Sequence, residues 1–318
     1  MEDAIPQNHL VTVIVPCYNG ARFLEETLES ALRQTYPHVE VIVVDDGSTD
    51  DSAEIARRFP IRYLYQDNCG LSNARNAGIR ESRGAYVLFL DADDRLRPEA
   101  IECGVRILES HPECALTIGD HVFISADGRH LKNSLKVAAL HSHYESLLKS
   151  NFIEMISSVL FRRRVFEEVG AFDSALRVAE DYDLYLRIAR VRPICCHTAV
   201  IAEYRIHTAN ASHNSELMLI TTLQVLKSQA CYMGDAVGRL QAYREGVRAW
   251  RTQYGRQLTM ELATGWAALA GKPLCRKLAV LAVYYPQGLL LLLFLMLPAI
   301  RKRRSRWSRR IAYDGVPR

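Results

Sequence analysis

The chain has 318 residues, 49% hydrophobic and 24% charged, enough for one large α/β domain with an appendage and too apolar for wholesale disorder. Its net charge of +4 is unevenly placed: the tail from residue 299 is strongly basic and the remainder slightly acidic, so no nucleic-acid partner is expected. The opening MEDAIPQNHL has neither a basic start nor an apolar run, which argues against a secretory signal.

The first hundred residues alternate strand and helix patterns. LVTVIVPC (10–17) and VEVIVVDD (39–46) are nearly continuous β-branched runs, as expected of strands buried on both faces. Between them, residues 21–34 place Phe23, Leu24, Leu28, Ala31 and Leu32 at helical spacing. Ser48 or Asp50 is positioned to cap a helix running to Arg58, and IRYLYQ (61–66) reads as a third strand. LSNARNAGIRESRG then reads as a helix that Ser72 caps and Gly84 ends. AYVLFLDADD (85–94) is a fourth strand running into carboxylates. Strands alternating with helices predict a mostly parallel sheet.

Further on, the expected elements are a helix over 98–110, strands at 114–119 and 156–163, a helix at 179–191 and a strand at 194–207. Residues 120–152 carry turn signals and no assignable pattern, and residues 216–271 read as helical. The eight cysteines (17, 69, 103, 114, 195, 196, 231, 275) form no CxxC pair and mostly lie in apolar stretches. They read as buried thiols in a reducing compartment. His121, His141, His143 and His197 read as surface or satisfied core residues.

In an open α/β sheet, ligands bind beyond the carboxyl ends of the strands. Three clusters fall at such ends: Pro16-Cys17-Tyr18-Asn19-Gly20, Asp45-Asp46-Gly47-Ser48 and Asp91-Ala92-Asp93-Asp94. Three carboxylates within four residues repel one another unless a cation lies among them, and hard oxygen ligands suit Mg²⁺ or Mn²⁺ shared with substrate phosphates.

VTVIVPCYNG, VIVVDDGSTDDS, GLSNARNAGI and AYVLFLDADD resemble the successive motifs of family 2 glycosyltransferases, and AEDYDLYLRIA extends the likeness to about residue 190. The resemblance implies a GT-A catalytic domain over 1–215, with a Rossmann-like sheet; the helical pattern after it marks a helical extension over 216–272. The resemblance also implies an inverting enzyme that moves a sugar from a UDP-linked donor onto an acceptor hydroxyl. By the same resemblance Pro16, Tyr18, Asn19 and Asp46 hold the nucleoside, with Asp45 as the alternative to Asp46. Arg75 contacts the diphosphate, where a guanidinium at a helix start would bind it in bidentate fashion. Asp91, Ala92 and Asp93 form the DxD motif, and Asp91, Asp93 and Asp94 remain alternatives as metal ligands. Glu180-Asp181 matches the ED motif, with Asp181 as catalytic base, kept ionised by the start of its helix. Arg205 and His207, in the stretch Tyr204–His207, approach the diphosphate or metal.

Leu278 to Leu297 is a 20-residue run without a charge, just long enough for a bilayer of ~30 Å. Pro286-Gln287-Gly288 interrupts it, and RKRRSRWSRR (301–310) follows. Residues 273–318 are therefore expected to attach the chain to the cytoplasmic face of a membrane, bent back at the interruption so that both ends stay on one side. Burial of the same segment in a homo-oligomer is the competing expectation. The expected role is cell-surface glycan synthesis with a glycan or lipid-linked acceptor. Transfer to a polyprenyl phosphate and a non-catalytic scaffold are the alternatives.

Overall fold

The computed structural model describes residues 9–134, 143–207, 214–234, 237–265 and 272–295. Its first half alternates strand and helix: β1 (Val11–Cys17), α1 (Ala21–Leu32), β2 (Val39–Asp45), α2 (Ser52–Arg57), β3 (Arg62–Tyr65), α3 (Leu71–Glu81), β4 (Tyr86–Phe89) and the short β5 (Arg95–Leu96). Then come α4 (Ala100–Ser110), β6 (Leu116–Ser125), β7 (His130–Asn133), α5 (His143–Lys149), β8 (Val159–Arg162), α6 (Val165–Val169), α7 (Glu180–Ala189) and β9 (Ile194–Ile206). Helices α8 (Ser215–Ser228), α9 (Val237–Gly265) and α10 (Lys272–Tyr284) complete the order, followed by a helix over 286–295.

The strands form one sheet in the order β3-β2-β1-β4-β8-β6-β9-β5, with β7 on β6. Alternation along each strand explains why β1 and β2 are apolar throughout. Ile14, Ile42 and Val44 face one core with Val87 and Phe89, under α3, α7, α8 and α9. Val13, Val15, Val41 and Val43 face the other, under α1, α2 and α4. The pairs among β3, β2, β1 and β4 are parallel, as expected, but the sheet beyond is mixed. Strand β8 enters antiparallel between β4 and β6, while β6 and β9 run parallel to each other. The stretch 120–152, unreadable in sequence, continues β6 and then supplies β7 and α5.

Several local expectations are corrected. Helix α3 starts after Gly70, at φ 92, and the Ser72 hydroxyl instead bonds the Leu176 carbonyl. The same helix ends at Glu81, so Gly84 is not its terminator. Gly84 passes so close to β1 that a Cβ there would lie 2.6 Å from the Thr12 nitrogen. The Ser48 hydroxyl accepts the Asn19 N–H and caps nothing, while Asp50 takes the N–H of Ser52 at the start of α2.

Cys114 and Cys195 form a disulfide, and Cys69, Cys231 and Cys275 are exposed, contrary to the expectation of uniformly buried thiols. The parallel pairing of β6 with β9 sets Leu116 opposite Ile194, which brings the two disulfide partners within reach. His121 and His197 are not satisfied core residues: each leaves a buried Nε2 without a hydrogen bond, and burial holds both below the usual imidazole range. His143 begins α5, and His141 lies outside the described residues.

The C-terminal helices share the core under the sheet. Trp250, Tyr254 and Leu258 of α9 lie in one buried cluster with Tyr182 of α7, Leu219 of α8 and Phe89 of β4. The apolar C-terminal run is two helical arms that meet at Tyr285, one residue before the expected break. Pro286 opens the second arm, where its missing N–H is no loss, and the Gly288 N–H bonds the Tyr285 carbonyl. Contact with α9 moves from Glu261, ion-paired to Lys277, to Gly255 beneath Tyr285, then back to Thr259 beside Gly288.

Candidate active site

The carboxyl ends of β1, β2 and β4 converge, and their loops are latched together. Asn19, at φ 51, receives the Thr49 N–H on its side-chain oxygen at 2.8 Å and gives its own N–H to Ser48 at 2.9 Å. Gly20 and Ala21 donate to Ser52 and Asp50, so the open end of α1 is closed by the loop after β2. Pro16 is buried in β1, and Tyr18 stands 56% exposed at the rim.

Asp45 and Asp46 face different tasks. Buried Asp45 accepts the Ser48 N–H and the Tyr63 hydroxyl, at 2.8 and 2.6 Å. Asp46 accepts Gln66, Cys69 N–H and Gly70 N–H at 2.6–2.9 Å, which fixes the approach to α3. A carboxylate offers about four acceptor positions, and three of those of Asp46, which is 3% exposed, are taken within the protein.

The acidic cluster divides by direction. Asp94 turns inward: it is 1% exposed and accepts the Arg205 N–H and the Ser157 hydroxyl. Burial and the two neighbouring carboxylates hold its pKa well above the usual range. Of the three carboxylates named as alternatives, Asp94 is the one whose two oxygens are engaged inside the protein. Asp93 instead meets His207, Oδ2 to Nε2 at 2.7 Å. Burial chiefly raises the Asp93 pKa, with the Asp91 charge adding and His207 opposing. The pair unites one hard oxygen and one imidazole donor, and Mg²⁺ or Mn²⁺ commonly takes only one or two protein ligands beside substrate phosphates. Asp93 and His207 therefore fit a divalent cation. Among the described residues no group of three such side chains is assembled, so phosphate oxygens would have to complete the shell.

Arg205, expected at the ligand, is fully buried behind the cluster. Its guanidinium binds the Asp93 and Ala126 carbonyls and the Glu26 carboxylate, over the ring of Phe23. Arg75 is likewise internal, at 2% exposure. Its two terminal nitrogens join Asp91 at 2.8 Å and Glu180 at 2.6 Å. The two arginines hold the acidic loops, and neither guanidinium is presented to solvent. Ala92 contributes its carbonyl to the Thr27 hydroxyl.

Glu180 and Asp181 open α7 behind Ala179, a non-glycine residue at φ 58. That left-handed turn is costly and recurs at functional turns. Asp181 accepts the Tyr182 N–H at 2.7 Å. Its pKa is pushed up to about 7 by loss of surrounding water and by the Glu180 charge, with Arg75 opposing. The helix start does not keep it low, as expected from the dipole alone, because desolvation outweighs that contribution.

Sequence reading missed four contributors: Ser157, whose hydroxyl accepts the Asp91 N–H; Glu26 and Phe23 around Arg205; and Ala179. Only Phe23 carried a signal, as part of the buried stripe of α1.

Residues 12–170 match the family model described as glycosyl transferase family 2. An uncharacterized glycosyltransferase of Rickettsia prowazekii is 34% identical over 219 residues, 65% of this chain and 67% of that protein. Chondroitin synthase of Escherichia coli is 29% identical over 208 residues, but only 30% of its length is covered. Among solved structures, S. aureus TarS 1-349 in complex with UDP aligns at TM-score 0.59 and 18% identity, over 80% of this chain and 75% of that one. The mannosyltransferase PcManGT of Pyrobaculum calidifontis, in complex with GDP-Man and Mn²⁺, aligns at 0.58 and 20%, over 94% and 90%. These likenesses establish the GT-A fold, and the chain belongs to glycosyl transferase family 2 as a glycosyltransferase enzyme.

Proposed function

We propose that the enzyme transfers a sugar from a UDP-linked donor to an acceptor hydroxyl, inverting the anomeric carbon, in assembly of a cell-surface glycan. The observation that carries this reading is the Arg75 bridge, which joins Asp91 on the donor-side loop to Glu180 beside Asp181. One guanidinium thus fixes the distance between the group that meets the donor and the group that meets the acceptor. A single displacement needs such a fixed pair of partners.

The nucleoside lies over Pro16, Tyr18 and Asn19, and Asp46 accepts a uracil-type N–H with its remaining acceptor position. Asp93 and His207 would hold Mg²⁺ or Mn²⁺, whose charge would offset that of the leaving diphosphate. Asp181 takes the proton of the acceptor hydroxyl as that oxygen attacks the anomeric carbon. Glu180 and Arg75 hold Asp181 in place. The UDP seen with TarS and the GDP-Man and Mn²⁺ seen with PcManGT support a nucleotide-sugar donor and a metal. Chondroitin synthase among the relatives supports a glycan product.

The test is a panel of UDP-, GDP- and TDP-sugars, followed by ³¹P NMR for nucleoside diphosphate release and ¹H NMR for the anomeric configuration of the product. Metal-dependent release from a UDP-sugar with inversion is expected. Retained configuration, or turnover confined to GDP-sugars, would overturn the mechanism or the donor assignment respectively.

A further inference from the structure

The two C-terminal arms carry a surface that glycosyl transfer does not use. One side of the arms is spent on packing: Leu281, Tyr285 and Leu292 are buried. The other side presents Val283, Leu290, Leu293 and Phe294 to solvent, each between 62% and 71% exposed. From Leu289 to Leu297 the sequence contains no polar side chain. Contiguous bare hydrocarbon on a folded chain marks a contact surface. The sequence that follows states the sign of charge the partner must bear, since RKRRSRWSRR begins at residue 301 and Asp314 is the sole acidic residue after 298. A partner that is apolar within and densely anionic at its rim is a bilayer containing acidic lipids.

Packing decides how it docks. Among the described residues no helix is long and apolar enough to cross a membrane. The inner side of the second arm is committed to the protein, with Leu292 buried and Gly288 against Thr259 of α9. We propose that the exposed face of these arms docks on an anionic lipid surface, placing Val283, Leu290, Leu293 and Phe294 at the acyl boundary of one leaflet. The following basic run then engages the headgroups. The catalytic domain is thereby held against the membrane.

The experiment is flotation of the full chain with vesicles of phosphatidylcholine alone or mixed with phosphatidylserine. The chain is expected to float with the mixed vesicles, at least roughly tenfold more than with neutral ones, and added salt should weaken this as it screens the headgroups. The double variant Leu290→Glu/Phe294→Glu should lose flotation while keeping its circular dichroism and its binding of uridine diphosphate. A second variant, Arg301→Ser/Lys302→Ser/Arg303→Ser/Arg304→Ser, leaves both arms untouched and should lose the preference for phosphatidylserine. Wild-type chain that stays with neither vesicle overturns the proposal, as does double-variant chain that floats normally. A lipid-free dimer that Leu290→Glu/Phe294→Glu splits, with no flotation of either, would assign the face to a second copy instead.

Discussion

At the scale of single residues, the site is governed by which carboxylates are allowed to ionise. Lost hydration and then the Glu180 charge push the Asp181 pKa up to about 7, with Arg75 opposing. A base works only when ionised, so kcat/KM should rise with pH and level off above about 7. From pH 6 to pH 8 the gain should be roughly tenfold. Asp181→Asn should lower kcat by at least roughly 10²-fold, flatten that profile and leave nucleotide affinity nearly unchanged. A variant with the wild-type profile would remove Asp181 from the chemistry. The second residue-scale prediction separates Asp93 from Asp94. Asp93→Ala should abolish Mn²⁺ binding measured by calorimetry in the presence of uridine diphosphate, with the melting temperature nearly intact. Asp94→Asn should keep Mn²⁺ binding and lose stability instead, because its carboxyl serves Arg205 and Ser157 inside the protein. Equal loss of metal binding in both would refute the division.

At the scale of elements, α9 supports α7, the helix that carries Asp181. The Trp250 indole donates to the Tyr182 hydroxyl, which in turn donates to the Leu147 carbonyl, and Trp250 stacks on Tyr254. Trp250→Ala should cost about 3–5 kcal/mol in chemical denaturation, the usual range for a large core aromatic. It should also lower kcat more than it raises KM, since Tyr182 adjoins Asp181. Helix α9 also crosses α5 at Gly246, where a Cβ would fall 1.8 Å from the Leu148 carbonyl oxygen. Gly246→Ala should therefore destabilise by at least about 1–3 kcal/mol, the cost of overpacking; an unchanged denaturation midpoint would contradict the crossing.

These elements mark the limit of sequence reading. The strands β1, β2 and β4 were legible because burial on both faces leaves an uninterrupted apolar run, and their acidic ends follow directly. The helix at 179–191 and the strand at 194–207 were legible by period. The partners of Arg75 and Arg205 were not, because each guanidinium includes among them a group more than a hundred residues away in the chain, Glu180 for Arg75 and Asp93 for Arg205. A guanidinium that binds phosphate and one that binds buried carboxylates have the same sequence signature. Residues 120–152 failed for another reason: β7 is exposed along its whole length and so carries no apolar alternation.

At the scale of the molecule, the helical C-terminal part is no separable appendage. Val280, Leu281, Tyr285 and Leu292 belong to the same buried cluster as Trp250, Tyr182 and Phe89. Removing residues 272–318 uncovers that side of α9, and each fully exposed side chain of this size forfeits about 1.5–3 kcal/mol. The truncated chain should melt lower by several degrees or more in differential scanning fluorimetry; an unchanged melting temperature would show that the arms fold independently.

The order in which these parts leave the ribosome has a consequence of its own. The strands β1, β2 and β4 and their acidic ends are all translated within the first hundred residues, whereas His207, which meets Asp93, follows more than a hundred residues later. Asp181 is translated between them, but the aromatic wall that steadies its helix, Trp250 and Tyr254, emerges some seventy residues after it. On the proposed mechanism, a nascent chain carries its first acidic loops long before the groups that complete and back them, and would begin to turn over only when translation has delivered α9.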